Sequence, residues 1–362
     1  MTAWETDRTR QDGADGPAVS RQHWTVAPGR SEIRRVPVPE PEAGELLVET
    51  LVSAISRGTE TLVHRGEVPD RIAGLMRAPH QLGELPHPVS HGYLNVGIAR
   101  AAAEEQNDHP LVGRTVFTLG GHRDHLTVPA PDCHLVPDGC PVERALLAGA
   151  AETGLNALWE SQVTLGDRVA VVGAGMIGLS TALLASRLPL ERLQVVELDA
   201  ERRRLVASLG LDAVAPGEAH LDNDVVLHAS ASQDGLAEAL RIVGDDGTVI
   251  EQSWYGAEQP RVPLGGDFHA RRLRIVASQV GEVAQPRRLR RTRGERLGLA
   301  LEMLDERFDA LLTGRSSVEE LPDVMASLAA DDPTMRGTIC HVIDHSADTR
   351  SEDTHSHGAD VV

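Results

Sequence analysis

The sequence predicts an α/β protein in two parts, a β-rich barrel-like domain followed by a doubly wound parallel sheet. Three observations predict it. Residues 24–135 hold short apolar runs broken by glycine and proline. Beyond about residue 165, apolar strand signals alternate with helical ones. Between these textures, VAVVGAGMIGLS sets a glycine-rich turn where a strand gives way to a helix.

The elements follow in order. ELLVETLVSAI, VGIARAAA, RTVFTL and HLTVPA read as strands of the first domain. ERALLAGAAETGLNALWES then shows helical periodicity, with Leu146, Leu147, Ala150, Leu155 and Leu158 mainly on one side. RVAVV (168–172), LQVVE (193–197), DVVLHAS (224–230), GTVIEQS and LRIVAS (273–278) are apolar enough to be covered on both faces. Helical stretches separate the first four: MIGLSTALLASRL, AERRRLVASLG and GLAEALRIV. Helical patterns return over 295–330, and GTICHVIDH closes as a strand. Residues 1–20 and 346–362 are polar with little to bury, and are expected to be disordered tails. On that expectation the HxH pair His355 and His357 is a frayed end and not a metal site.

The chain of 362 residues carries a net charge of −19, which argues against nucleic acid or an anionic membrane as a partner. No apolar run reaches the ~18 residues that span a bilayer, and the polar start is unlike a signal peptide. A soluble, cytoplasmic enzyme is the expectation. Lysine is absent, which removes Schiff-base chemistry, a phosphate-loop lysine and a Tyr–Lys catalytic pair. Three scattered cysteines, Cys133, Cys140 and Cys340, build neither a disulfide framework nor a four-cysteine zinc lobe.

The turn carries the sharpest functional signal. Gly173, Gly175 and Gly178 form G-x-G-x-x-G, with Ala174, Met176 and Ile177 between them. The spacing suits a tight turn, close approach of a pyrophosphate, and close helix–strand packing. Glu197 ends the next strand, where a carboxylate accepts hydrogen bonds from ribose hydroxyls and repels a 2′-phosphate. That favours NAD over NADP. Arg202 either reaches the adenosine ribose or is solvated with Arg203 and Arg204. Arginines there would also accommodate the 2′-phosphate of NADP. A methyltransferase also ends its second strand with an acid, but the wide glycine spacing leans against it.

This order of domains, with GAGMIG near the middle, resembles the medium-chain dehydrogenase/reductase superfamily of the zinc alcohol dehydrogenase type over residues 24–345. The resemblance implies a GroES-like catalytic domain over 21–150, a Rossmann domain over 151–285, and a segment over 286–345 returning to the first domain. It also implies a small-molecule substrate in the cleft between the domains, and a homodimer or homotetramer.

The family's catalytic zinc ligands sit in a C-[GR]-[ST]-D pattern and in G-H-E-x-x-G, with a third cysteine or acid. Here AISRGTE puts Ser56 at the cysteine, followed by Arg57, an extra Gly58, Thr59 and Glu60. GYLNVG puts Tyr93 at the histidine and Leu94 at the glutamate. Glu152 in AETGLNAL stands for the third ligand. A hydroxyl and a phenol make a poor zinc site, so no zinc is expected. SRGTE, GYLNVG and SWYG resemble the branch that includes bacteriochlorophyllide dehydrogenase.

Without zinc, a side chain must hold charge or move a proton at the reacting oxygen. Tyr93 and Ser56 are the candidates, with Thr59 at the family's hydroxyl-relay position, Glu60 beside it, and Glu152 as an orienting group or base. Trp254 and Tyr255, just past a sheet strand, are expected to wall the substrate. The alternatives are a zinc-free reductase of activated C=C bonds and a non-catalytic NAD-binding protein. His91 is placed outside the site. GGHRDH, with His122 and His125, reads as a surface turn, and His228 ends a strand that faces the cofactor. The basic run 287–296 reads as a solvated, salt-bridged helix face.

Overall fold

The structure is a computed structural model that describes residues 18–102 and 108–346. Of the tails expected to be disordered, 1–20 and 346–362, residues 1–17 and 347–362, with His355 and His357, lie outside the described ones, while Val19 and Ser20 belong to an ordered strand with Ser20 fully buried, which corrects the first boundary.

The first domain opens with β1 (Val19–Ala27), β2 (Arg30–Pro37) and β3 (Glu45–Ile55). A helix not expected from the sequence, α1 (Arg57–Arg65), follows at once. Then come β4 (Leu82–Gly83), β5 (Val89–Ser90), β6 (Asn95–Ala102), β7 (Thr115–Thr118), β8 (His125–Pro129) and β9 (His134–Leu135). The long β3 alternates buried and part-buried residues along its first half, the period of a strand with one face on a core. It is the spine of the domain, pairing with β6 and, at its start, with β8.

The helical stretch after residue 141 forms a short α2 (Val142–Ala145) and a long α3 (Ala148–Ser161). The second domain then runs β10 (Arg168–Val172), α4 (Met176–Ala185), β11 (Arg192–Val196), α5 (Ala200–Ser208), β12 (Asp212–Val214), β13 (Asn223–His228), α6 (Gln233–Ile242), β14 (Val243–Glu251) and β15 (Arg274–Ala277). These six strands are parallel, in the order β12-β11-β10-β13-β14-β15. The order reverses direction between β10 and β13, which opens a crevice at their carboxyl ends. Val169, Ala170, Val171 and Val172 of β10 are all buried, as a strand covered on both faces requires.

The chain ends with α7 (Arg293–Glu302), β16 (Leu312–Ser317), α8 (Leu321–Ala329) and β17 (Cys340–Asp344). β17 pairs antiparallel with β3, so the last strand joins the first domain's sheet, β16-β17-β3-β6-β7-β9. Glu295 and Thr292 close a capping box at the start of α7, which gives this part of the arginine-rich run a defined helix start. Among the described residues, no helix is long and apolar enough to cross a membrane.

Candidate active site

Strand β3 delivers the chain into α1 at Ser56, which is the N-cap of the helix. A serine there normally spends its hydroxyl on the helix's free N–H groups. Here it does not. Glu60 reaches back to the same residue, and its Oε1 accepts the Ser56 backbone N–H at 2.8 Å. The Ser56 hydroxyl meets Tyr93, whose phenol donates to Ser56 Oγ at 2.5 Å. Thr59 stands beside the phenol and favours its charged form. The structure therefore brings four predicted residues, Ser56, Thr59, Glu60 and Tyr93, together within one helix turn and one facing loop.

Burial pushes the Tyr93 phenol up to about 12, with Glu60 adding to the rise and Ser56 and Thr59 opposing it. Tyr93 is thus a neutral hydrogen-bond donor at ordinary pH. His91 is buried beside it, ring edge against ring face at 6.0 Å. Burial takes the His91 imidazole down to about 4, so it is neutral.

The surface-turn reading of GGHRDH fails for His122. Its side chain is buried, with Nε2 on Glu60 Oε2 at 2.8 Å and Nδ1 on Ser53 Oγ at 2.8 Å. Gly92 makes room for it. Its φ is +120°, and a Cβ there would come within 3.1 Å of the His122 ring. The sequence signal for this glycine was present in SHGYLNVG, but nothing linked it to a residue thirty positions on.

Glu152 is held elsewhere. Its carboxylate pairs with the fully buried Arg296 at 2.9 Å, and the same guanidinium holds Asn156 Oδ1 and the carbonyls of Val280 and Glu282. Burial raises the Glu152 carboxyl above its usual range against the pull of Arg296. This geometry gives Glu152 the work of joining α3, α7 and the 280–284 segment.

The glycine turn is built as a dinucleotide cradle requires. Gly173 has φ +101°, and a Cβ on it would lie 2.9 Å from the Ser230 backbone. A Cβ on Gly178 would run into the Gly173 carbonyl. Gly175 caps α4 with no side chain in the way, and a Cβ there meets nothing within 4 Å. The first N–H groups of α4 are therefore open to an anion. Ala174 and Met176 are buried and Ile177 is half-buried behind them. Glu197, just past β11, accepts the Ala174 N–H at 2.7 Å and the Asp199 N–H at 2.8 Å, which ties the glycine turn to the end of β11. Arg202 donates to the carbonyls of Arg336 and Thr338, bridging α5 to the chain's closing segment. These residues fit a nicotinamide dinucleotide.

The donor set does not fit zinc. At the family's ligand positions stand a serine already bound to a phenol, a phenol that stays protonated, and a carboxylate engaged by arginine. Among the described residues, no group of three or more histidine, cysteine or acidic side chains is placed to hold a metal.

Trp254 and Tyr255 part company. Trp254 packs with the cluster of Val63, Val68 and Val89 in the first domain. Tyr255 donates to Glu251 Oε2 at 3.1 Å and stacks on His228, whose Nδ1 meets Glu251 at 2.8 Å and whose Nε2 meets Ser230 at 2.7 Å. Sequence reasoning placed His228 at the strand end but missed Glu251 and Ser230. The next residue, Gly256, packs under the Leu62 side chain of α1, so α1 sits over the mouth of the parallel sheet. An open groove of about 540 Å³ lies away from these residues, between Glu143, Arg144, Asp309 and Arg315. These side chains are paired as Arg144–Asp309 and Arg315–Glu143.

No protein-family model matches the chain. Over 250 residues it is 26% identical to the sorbitol dehydrogenase of Bos taurus, covering 62% of this chain and 67% of that one. Over 274 residues it is 23% identical to an uncharacterized zinc-type alcohol dehydrogenase-like protein of Haemophilus influenzae, covering 64% and 76%. Among solved structures it is similar to 2R,3R-butanediol dehydrogenase of Bacillus subtilis (TM-score 0.72, 17% identity, 90% of this chain and 99% of that one). It is also similar to the acetophenone reductase of Geotrichum candidum in complex with NAD (TM-score 0.71, 15% identity, 92% and 100%). A Sinorhizobium meliloti protein solved with NADP bound shares the fold as well (TM-score 0.73, 20% identity, 91% and 100%).

Proposed function

We propose that this chain, whose homologues and structural neighbours are alcohol dehydrogenase-like medium-chain dehydrogenases/reductases, is an NAD(H)-dependent oxidoreductase of an alcohol/carbonyl pair that works without zinc. The carrying observation is the pairing of an open dinucleotide cradle with a neutral phenol–hydroxyl cluster, Tyr93–Ser56–Thr59, where the family's metal ligands stand. When bound, the cofactor donates or accepts the hydride at its nicotinamide ring. The chain's own residues do the rest. On substrate binding the Tyr93 phenol turns its single hydrogen from Ser56 to the substrate oxygen, with the Ser56 hydroxyl donating to the phenol oxygen in exchange, and stabilises the charge that develops there. Ser56 and Thr59 orient the phenol, and Glu60 fixes Ser56 through its backbone N–H.

Glu197 supports NAD over NADP. It is a buried acceptor placed for the ribose, and the nearby Arg202 and Arg203 are each occupied by two backbone carbonyls. The reading extends to a homodimer or homotetramer in the cytoplasm with a small-molecule substrate. Tyr255 borders that substrate at the sheet's mouth, while Trp254 supports α1 from behind.

The test is an NADH absorbance screen against aldehydes, ketones and enones, repeated with Tyr93→Phe. Turnover of a carbonyl, with kcat down ~100-fold in the variant and NADH affinity unchanged, supports the reading. Turnover of enones alone transfers the protein to C=C reduction. Tight NADH binding with no turnover of any class makes it a binding protein.

A further inference from the structure

Four buried side chains and the part-buried Asp124 form one continuous chain of hydrogen bonds. Glu60 Oε2 meets His122 Nε2 at 2.8 Å, and His122 Nδ1 meets Ser53 Oγ at 2.8 Å. Ser53 Oγ meets His345 Nε2 at 2.9 Å, and His345 Nδ1 meets Asp124 Oδ1 at 2.8 Å. At the inner end Glu60 holds the Ser56 N–H beneath Tyr93. At the outer end Asp124 is bound by Arg21 at 2.8 Å and is the most exposed member, at 13%.

The hydrogens can be counted. Each of the four links needs one. Two ionised carboxylates bring none, two neutral imidazoles bring one each, and the serine hydroxyl brings one. Four links share three hydrogens, so one buried link would set lone pair against lone pair, a costly arrangement. One additional proton satisfies all four. That proton has four placements with every link intact: on Asp124, on His345, on His122, or on Glu60. Moving between them only shifts hydrogens along existing bonds and turns the Ser53 hydroxyl.

We propose that Glu60, His122, Ser53, His345 and Asp124 form a proton wire that holds one excess proton and exchanges it between the active site and the protein surface. The proposal rests on the dehydrogenase reading for its purpose and not for its existence. In alcohol oxidation the substrate C–H bond gives its electron pair and hydrogen as hydride to the nicotinamide. The hydroxyl proton leaves toward Glu60 through Tyr93 and an intervening water, and one proton exits at Asp124. Carbonyl reduction runs the same transfers backward. The wire residues position and carry the proton and do not touch the substrate.

The surroundings keep the proton on the wire. His23 faces the His122 ring edge-on at 6.0 Å, and burial holds it well below its usual range, as it does His91. His64 is also held down by burial. Cys340, near Glu60, is pushed up to about 12 by burial and stays a thiol. Tyr93 is held protonated in the same way. Burial also lowers His345, with Asp124 opposing and His122 and Arg21 adding to the fall. Burial lifts the Glu60 carboxyl, but His122 and the Ser56 N–H bring it below its usual range, and Asp124 is brought down to about 2, so the resting proton sits on the imidazole pair and on neither carboxylate. Arg21 balances the second carboxylate from outside.

The experiment is histidine ¹⁵N NMR of the full-length protein between pH 6 and 8, without cofactor or substrate. The expected result is three ring N–H protons on the His122–His345 pair at pH 7. In Ser53→Ala the pair uncouples, His345 keeps a single N–H toward Asp124, and the shared proton is lost. Two singly protonated rings across the whole range in the unaltered protein overturn the proposal, whether or not Ser53→Ala folds. In turnover, Ser53→Ala lowers kcat at least ~10-fold at unchanged KM and alters the pH profile, which loss of packing alone does not do. Unchanged kcat and pH profile in a folded variant also overturn it. A protein that turns over no alcohol but shows three N–H protons loses the dehydrogenase reading and keeps the wire.

Discussion

The Tyr93 phenol donates to the Ser56 hydroxyl at 2.5 Å, and Glu60 fixes the same serine by accepting its backbone N–H at 2.8 Å. An N-cap serine whose hydroxyl makes no cap bond leaves that hydroxyl available for chemistry. The first turn of α1 thus supplies an orienting hydroxyl and an acidic inner group for a donor, Tyr93, that comes from the facing loop.

The chain has two tyrosines, and burial raises both above the usual phenol range, Tyr93 to about 12. Absorbance at 295 nm should stay flat through pH 10 to 11 while the protein is folded, and rise only with base unfolding. A phenolate transition centred near 10 in folded protein would contradict the environment assigned to Tyr93 and Tyr255.

Glu197 accepts the Ala174 and Asp199 N–H groups, and in the proposed complex the same carboxylate takes the adenosine ribose. Calorimetric titration should find NAD bound more tightly than NADP. Glu197→Gln should weaken NAD by roughly 10-fold, about 1.4 kcal/mol, and narrow the gap to NADP. Tighter NADP binding in the unaltered protein would refute the role of Glu197.

Arg296 is a guanidinium only 1% exposed, and Glu152 is its only carboxylate partner among the described residues. Removing one partner strands a buried charge. Arg296→Met or Glu152→Ala should each cost ~3–5 kcal/mol in urea denaturation. The double variant should cost less than the sum. A stable Glu152→Ala protein with lost turnover would return Glu152 to the catalytic set.

Asp124 is lifted by burial but brought down to about 2 by hydrogen bonds from His345 and Arg21. A carboxyl depressed in the folded state contributes stability that is present above the unfolded value near 4 and is lost as pH falls toward 2. The contribution is at most about 2 kcal/mol, since the group is partly solvated. Asp124→Asn should flatten the loss of stability between pH 4 and 2. An unchanged acid-unfolding curve would contradict this.

The parallel sheet was legible because buried strands read as apolar runs and the turn demands glycines at fixed spacing. Gly173 and Gly178 announce themselves by what a Cβ would strike. The inner end of the site was legible only by position against a family pattern. The wire was not legible at all. Ser53 and His345 lie 292 positions apart, and each sits singly on its own segment with no local spacing to mark it. Glu152 misled for the same reason, since its partner stands 144 positions away. Trp254 and Tyr255 are neighbours in sequence, yet one packs beneath α1 and the other on His228, so a pair read as one wall serves two surfaces.

The most direct measurement is NADH oxidation by carbonyl substrates in protein dialysed against a strong chelator, with metal content determined on the same sample. The account predicts undiminished turnover at far less than one zinc per chain. Activity that disappears on chelation and returns with one equivalent of zinc would contradict it.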